Sequence, residues 1–157
     1  MSYTLCVIDM QAQFSASNGA KVQRSCVREI KKAMKDNATI VFVEFEGYGP
    51  TLPLLTNLVK DAKYKKVHRV LKNTNGGGKE VAEYLRAKHL ARSNIRVVGV
   101  NTSYCVLATV QGMNVHLNTS NLNIVANGCS CHGSSSHKYG LEQMRKMERV
   151  KILREKK

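Results

Sequence analysis

Residues 95–110 read IRVVGVNTSYCVLATV, and this stretch decides the fold. The apolar, β-branched run Ile95–Val100 is typical of a buried strand, and the residues from Ser103 to Leu117 have the length and composition of an amphipathic helix. Polar residues separate the two segments. The stretch therefore predicts a strand that leads almost directly into a helix, with Cys105 near the start of that helix.

Strand-like and helix-like segments alternate outward from this stretch. Because the strand-like runs show little polar alternation, they are typical of a parallel sheet with helices on both faces. We predict a three-layer α/β/α fold of Rossmann-like type, with a doubly wound, mostly parallel six-stranded sheet, as a single domain over residues 1–157. The predicted strands are Tyr3–Asp9, Thr39–Phe45, Lys66–Leu71, Ile95–Val100, Leu122–Ala126 and Val150–Leu153, and the predicted helices are Lys21–Asp36, Leu52–Lys60, Gly78–Ala91, Ser103–Leu117 and Tyr139–Met147. Flexible loops are expected at Asn73–Gly78 and Asn127–His137.

Three chemically capable side chains come directly after predicted strands. Asp9 closes the first strand, Lys72 follows the third, and Cys105 follows the fourth. The carboxyl ends of parallel strands meet at one edge of the sheet, where ligands bind near a switch point. A helix N-terminus and a nearby cation would favour the thiolate of Cys105, Asp9 could transfer a proton, and Lys72 could hold Asp9 and stabilise negative charge. Taken singly, the same residues also fit a core thiol, a helix cap and a solvated lysine.

Composition and charge limit the class of protein. The hydrophobic fraction of 43% is typical of a globular chain, and no apolar stretch is long enough to span a membrane. The opening residues MSYTLCVIDM contain no basic leader, so we expect no signal peptide. Five irregularly spaced cysteines do not form a disulfide pattern, which favours a reducing, cytoplasmic location. The net charge of +14 indicates either a solvated basic surface or an anionic partner.

Two further motifs are weak indications of metal binding and of phosphate binding. Cys129-Ser130-Cys131-His132 has metal-binding residue types, but no second ligand cluster accompanies it. The glycine-rich segment from Asn73 to Lys79 lacks the spacing of a phosphate-binding loop. We therefore expect neither a metal nor a cofactor.

The chain resembles the isochorismatase-like cysteine hydrolases, which include nicotinamidases, carbamoyl-sarcosine amidases and ureidoacrylate hydrolases. The most specific match is the motif Gly-Val-x-Thr-x-x-Cys-Val, which is intact at residues 99–106. Asp9 in VIDMQAQF matches the catalytic Asp of the family, and Lys72 matches its central Lys. The resemblance runs from Leu5 to about Met147.

This resemblance implies a reaction and further site residues. It implies a cis peptide bond between Val100 and Asn101, and an oxyanion hole formed by the backbone N–H groups of Asn101 and Cys105. The implied reaction is thiolate attack on an amide-type carbonyl, followed by hydrolysis of the thioester by water. Candidate pocket residues are Gln11, Phe14, Glu44, Glu46, Tyr48 and Tyr104. Glu44 and Glu46 could instead pair with surface lysines, and the two tyrosines could pack at the sheet edge.

The chain also departs from the family's pattern. Nicotinamidases carry an Asp-x-His metal motif after the second strand, whereas Glu44-Phe45-Glu46 stands here without a His. The usual Ser-Ala-Phe after the Lys is replaced by Asn75-Gly76-Gly77, and the usual Asp after the fifth strand by Asn127. These changes predict a metal-independent site with an altered pocket wall.

Three functions remain open from the sequence. The first is a metal-independent cysteine hydrolase that cleaves a small amide, ureido or carbamoyl compound, for which the basic surface favours an anionic substrate. The second is a degenerate hydrolase fold that binds nucleic acid or an acidic protein through its positive charge. The third is hydrolysis of a vinyl ether or a thioester. By analogy with the family, we expect a homo-oligomer, either a dimer or a tetramer.

Overall fold

The computed structural model describes residues 2–154, apart from the side chain of Ser134. Its strands are β1 (Tyr3–Ile8), β2 (Thr39–Phe45), β3 (Val67–Lys72), β4 (Asn94–Val100), β5 (Leu122–Ser130) and β6 (Val150–Leu153). Its α-helices are α1 (Ala20–Lys35), α2 (Pro53–Asp61), α3 (Gly78–Ala87), α4 (Leu107–His116) and α5 (Ser134–Arg145). A short 3-10 helix, Ser15–Asn18, precedes α1, and a π-helical turn, Thr102–Val106, precedes α4.

The six strands form one sheet in the order β3-β2-β1-β4-β5-β6, and each neighbouring pair is parallel. The predicted fold class is therefore confirmed. The direction of strand succession reverses between β1 and β4, which makes their carboxyl ends the switch point where such sheets bind ligands. Asp9 directly follows β1, and the π-helical turn directly follows β4.

Helices cover both faces of the sheet because its central strands are apolar on both sides. In β1, Cys6 and Ile8 enter one buried cluster while Leu5 and Val7 enter the other, as the period of two of a strand requires. The first cluster is covered by α3, α4 and α5, and the second by α1 and α2.

The largest differences from the predicted elements lie around β5. The strand continues to Ser130, and α5 already begins at Ser134, so most of the predicted loop Asn127–His137 is regular structure. The pairing of β4 with β5 shifts register between Val97 and Gly99, and the strand continues beyond the shift. Because Asn127 and Ser130 are polar, the sequence pattern did not predict this extension of the strand.

Two glycines bring elements into direct contact near the site. Gly99 has φ +137°, and a Cβ there would lie 2.1 Å from the carbonyl oxygen of Ile8. Only glycine therefore allows β4 to lie this close to β1. On the other side of the sheet, a Cβ on Gly78 would lie 2.4 Å from the backbone nitrogen of Met113, so α3 and α4 touch through this position.

We expect Gly78→Ala to lower the free energy of unfolding by about 1–3 kcal/mol, because the added methyl group meets backbone atoms that cannot move aside. Urea denaturation measures the loss. Gly19→Ala is the matched control, since its Cβ would find only ordinary contacts from 3.6 Å outward, and it should cost less. Equal losses for the two variants would contradict the close packing of α3 on α4.

Candidate active site

Asp9 is held at the end of β1 by its backbone and by one cation. Its φ of +53° places it in the left-handed region, which Asp tolerates better than most residues, and its N–H donates to the carbonyl of Val43 at 2.9 Å. The carboxylate is buried, and within residues 2–154 neither oxygen accepts a hydrogen bond of ordinary geometry. Its charge partner is Lys72, whose Nζ lies 3.0 Å from Oδ2.

Lys72 is the last residue of β3, and its ammonium group is fully enclosed. Besides facing Asp9, Nζ donates to the carbonyls of Thr74 at 3.1 Å and Asn75 at 2.7 Å. It also lies 4.5 Å from the centre of the Phe45 ring. A buried ammonium group with three donors thus has three oxygen partners, which is the condition for keeping such a charge away from water.

Cys105 lies in the π-helical turn, beside the ion pair. Its thiol is almost fully buried, and Sγ is 4.0 Å from Oδ1 of Asn75. Burial and the Asp9 carboxylate raise the pKa of the thiol to about 12, while Lys72 acts in the opposite direction. Burial and the neighbouring carboxylate therefore disfavour the thiolate form of Cys105.

The surroundings of Cys105 oppose the thiolate that a helix N-terminus was expected to favour, although Lys72 acts as the expected cation. Cys105 lies inside a turn whose N–H groups close back on Asn101, at 3.0 Å from Tyr104 and 3.1 Å from Val106. Desolvation then dominates the pKa of the thiol. Burial also raises the pKa of Asp9, although the thiol and Lys72 lower it, so this carboxylate is a stronger proton acceptor than an exposed one.

The peptide bond between Val100 and Asn101 is cis, where the resemblance implied one. The backbone N–H of Asn101 makes no hydrogen bond within residues 2–154, and its side-chain Oδ1 is buried without a partner there. An N–H group in this position is available to a ligand.

Two packed contacts hold the π-helical turn in place. Oγ1 of Thr102 lies 2.7 Å from Nδ1 of His137 on α5. A Cβ on Gly140 would lie 2.7 Å from the backbone of Thr102, so α5 packs directly against the turn. Neither contact was predicted, because a lone His and a lone Gly carry no distinctive spacing.

Two of the predicted pocket residues have structural roles. Gln11 is buried, its Nε2 donates to the carbonyls of Phe45 and Gly49, and its Oε1 accepts from the N–H of Phe45. Glu44 is also buried, and its Oε2 accepts from the N–H and the hydroxyl of Thr51 at 2.9 and 2.8 Å. Glu44 also pairs with Arg69 at 3.7 Å, which agrees with the salt-bridged alternative for this residue. A part of Gln11 or Glu44 in a substrate pocket stays a prediction.

Aromatic rings lie beside the ion pair. Phe14 stacks on Tyr48 with ring centres 4.9 Å apart, and Tyr48 packs against Phe45 at the same distance. Phe45 was not predicted, although it ends β2 in register with Lys72. Glu46 and Tyr104 are exposed, and Tyr104 has 60% of its surface accessible. Phe14, Phe45 and Tyr48 therefore form an apolar aromatic cluster beside the ion pair.

The described side chains do not form a site that could ligate a metal ion. Within residues 2–154, no three His, Cys, Asp or Glu side chains lie close enough together to hold one ion. In the segment that matches the family's metal motif, Glu44 is bound to Thr51. His132 is bonded to the Ser15 hydroxyl, and Cys131 Sγ lies 3.4 Å from Ser103 Oγ. These residues do not fit a metal, and no step of the reaction is assigned to one.

Replacing Lys72 by Met should destabilise the protein most at neutral pH, by about 3–5 kcal/mol, because it leaves a buried carboxylate without its cation. The pKa of Asp9, already raised, should then rise further. When the folded-state pKa of a carboxyl is raised, the protein loses stability as the pH rises through that pKa. The destabilisation of Lys72→Met should therefore decrease on acidification.

Urea unfolding between pH 4 and 8 measures this dependence. The matched control is Asp9→Asn combined with Lys72→Met, which removes both charges and should flatten the profile. If Lys72→Met lowered the free energy of unfolding equally at each pH, the result would contradict the pairing of Asp9 with Lys72.

Comparison with known proteins places the chain in a family. Residues 3–155 match the family model described as the isochorismatase domain. No curated protein matches the sequence. The fold is similar to that of the nicotinamidase from Staphylococcus aureus, with a TM-score of 0.80 and 20% identity over 98% of this chain and 100% of that one.

Two other solved structures share the fold. The MAR1 ribonuclease from Caenorhabditis elegans has a TM-score of 0.80 and 19% identity over 96% of this chain and 76% of that one. The pyrazinamidase of Pyrococcus horikoshii, solved in complex with zinc, has a TM-score of 0.72 and 20% identity over 98% and 99% of the two chains. At such identities the similarity shows the fold alone. The family match spans nearly the whole chain, and the protein therefore belongs to the isochorismatase domain family.

Proposed function

We propose that the protein is a metal-independent cysteine hydrolase that cleaves a C–N bond of a small amide, ureido or carbamoyl compound through a thioester on Cys105. The observation that carries this proposal is the buried Asp9–Lys72 ion pair beside the Cys105 thiol. A nucleophile next to a base that a third group orients is the arrangement required for covalent catalysis.

The first half of the reaction forms the thioester. Asp9 accepts the thiol proton as Sγ attacks the carbonyl carbon, and the carbonyl oxygen becomes an oxyanion. The backbone N–H groups of Asn101 and Cys105 stabilise that oxyanion. When the C–N bond breaks, Asp9 gives its proton to the departing nitrogen.

The second half releases the acid. Asp9 takes a proton from water, the resulting hydroxide attacks the thioester carbonyl, and the C–S bond breaks. The proton returns from Asp9 to Sγ. Lys72 keeps Asp9 in place throughout and limits the rise of its pKa.

The surroundings favour a small, flat substrate. Phe14, Phe45 and Tyr48 supply an apolar wall, and Gly76 and Gly77 bring backbone close to the site. Within residues 2–154, no helix is long and apolar enough to cross a membrane. The cytoplasmic location and the dimer or tetramer stay predictions.

Phosphodiester cleavage, which the description of the C. elegans neighbour suggests, fits these residues less well. Phosphoryl transfer depends on cations placed on the phosphoryl oxygens. Lys72 is enclosed, and its donors already face three protein oxygens. The site is therefore better suited to attack on a carbonyl carbon.

The test is a panel of small amides, ureido acids and carbamoyl compounds, nicotinamide included, with the released amine as readout. Cys105→Ala should lower the rate of any active substrate by at least about 10³-fold, because the nucleophile is lost. Intact-protein mass spectrometry should detect an acyl adduct on Cys105. Cys131→Ala is the matched control and should retain activity. Hydrolysis that survives in Cys105→Ala would overturn the proposal.

Asp9→Asn should change two properties of Cys105 in opposite directions. Hydrolysis should fall by about 10²–10⁴-fold, because the proton acceptor is lost. Alkylation by iodoacetamide at pH 8 should become faster, because the carboxylate no longer raises the thiol pKa while Lys72 still lowers it. Each unit of decrease in that pKa gives about tenfold more thiolate.

Peptide mass spectrometry can assign the alkylated residue. Asp61→Asn, at the exposed end of α2, should change neither rate. Slower alkylation in Asp9→Asn would show that Asp9 activates the resting thiol, contrary to the assignment.

A further inference from the structure

Helix α1 has a solvent face made entirely of cations. Between Lys21 and Lys35, each exposed side chain is basic, while the remaining positions are buried or partly buried. The cations are Lys21, Arg24, Arg28, Lys31, Lys32 and Lys35.

Acidic side chains are few in and next to α1. Glu29 is the only acid within the helix, and it is buried and bound by Arg96 through Nε at 2.8 Å and Nη2 at 3.1 Å. Asp36, just beyond the helix, pairs with Lys32 at 2.5 Å. The positive charge is therefore concentrated from the first turn to the last.

The other helices have different solvent faces. Lys79, Glu83 and Arg86 alternate in sign on α3, and Glu142 pairs with Arg145 on α5. Like charges three and four residues apart, as on α1, lower helix stability, and a cation in the first turn opposes the helix dipole. Since α1 keeps cations at each exposed position against these effects, simple solubility does not account for the pattern.

Further cations lie on one side of α1. There, Arg96, which pairs with Glu29, and Arg154 line a hollow of about 280 Å³ next to the helix. On the other side, an open groove of about 570 Å³ is lined by cations of α1 itself together with apolar Val27 and Leu54. Sixteen residues at 1.5 Å each give the helix a length of about 24 Å, which spans several phosphates of a nucleic acid strand.

We propose that the solvent face of α1 binds the phosphate backbone of a nucleic acid duplex. Lysine and arginine without interleaved aromatic rings neutralise phosphates but cannot stack on bases, so the face suits a duplex better than an unpaired strand. A membrane surface is less suitable, because the apolar side of α1, including Val22 and Ile30, is buried in the core and cannot insert into lipid. The face contains none of the catalytic residues, so this proposal does not depend on the proposed hydrolase activity.

Fluorescence anisotropy with a labelled 20-base-pair duplex, over a range of salt concentrations, tests the proposal. The wild type should bind with a steep salt dependence. The triple variant Lys21→Gln, Arg24→Gln, Lys31→Gln should bind at least tenfold more weakly at 100 mM salt, and the slope of log K against log salt should decrease by about three. The thermal unfolding midpoint of this variant should equal or exceed that of the wild type, because repulsion between the cations of α1 is reduced.

The matched control is Lys79→Gln, Lys138→Gln, Lys146→Gln, which removes the same charge from α3, from α5 and from the residue that follows α5. It should retain most of the affinity. Equal weakening in both triple variants would attribute binding to net charge and overturn the proposal. Equal or tighter binding to an unpaired strand of the same length, to polyglutamate or to phosphatidylserine vesicles would also overturn it.

Discussion

The ion pair between Asp9 and Lys72 sets the conditions for the rest of the active-site region. Two charges enclosed away from water are tolerated only when each keeps a partner at contact distance. Here the partners come from strands that are not neighbours, since β2 lies between β1 and β3. The backbone meets this demand by placing Asp9 in a left-handed conformation and by presenting the carbonyls of Thr74 and Asn75 to the ammonium. The glycine-rich segment after β3 follows from the same need, since a Cβ on Gly77 would lie 2.9 Å from Cδ of Lys72.

The sequence was sufficient to predict the fold and the meeting of the three reactive side chains. Parallel strands deliver their carboxyl ends to one edge, so residues that follow β1, β3 and β4 must approach one another whatever the loops do. The motif around Cys105 added the cis bond, although only through the family resemblance.

The environment of these side chains was not predictable in the same way. The protonation state of Cys105 depends on burial and on the distance to a carboxylate, and neither quantity is local in sequence. Gln11 and Glu44 were predicted as pocket residues, but their side chains make hydrogen bonds to Phe45, Gly49 and Thr51 in the structure. Phe45 was overlooked because an aromatic residue that ends a strand is indistinguishable in sequence from core packing.

Gln11 also determines how freely the site can change. Its amide holds the segment after β2 through main-chain atoms of Phe45 and Gly49, so these hydrogen bonds do not depend on the side chains of Phe45 and Tyr48. An exchange of Phe45 or Tyr48 therefore leaves this attachment of the backbone intact. Such separation of a replaceable wall from a fixed reactive centre lets one scaffold acquire new substrates by a few substitutions, in natural divergence and in laboratory evolution alike.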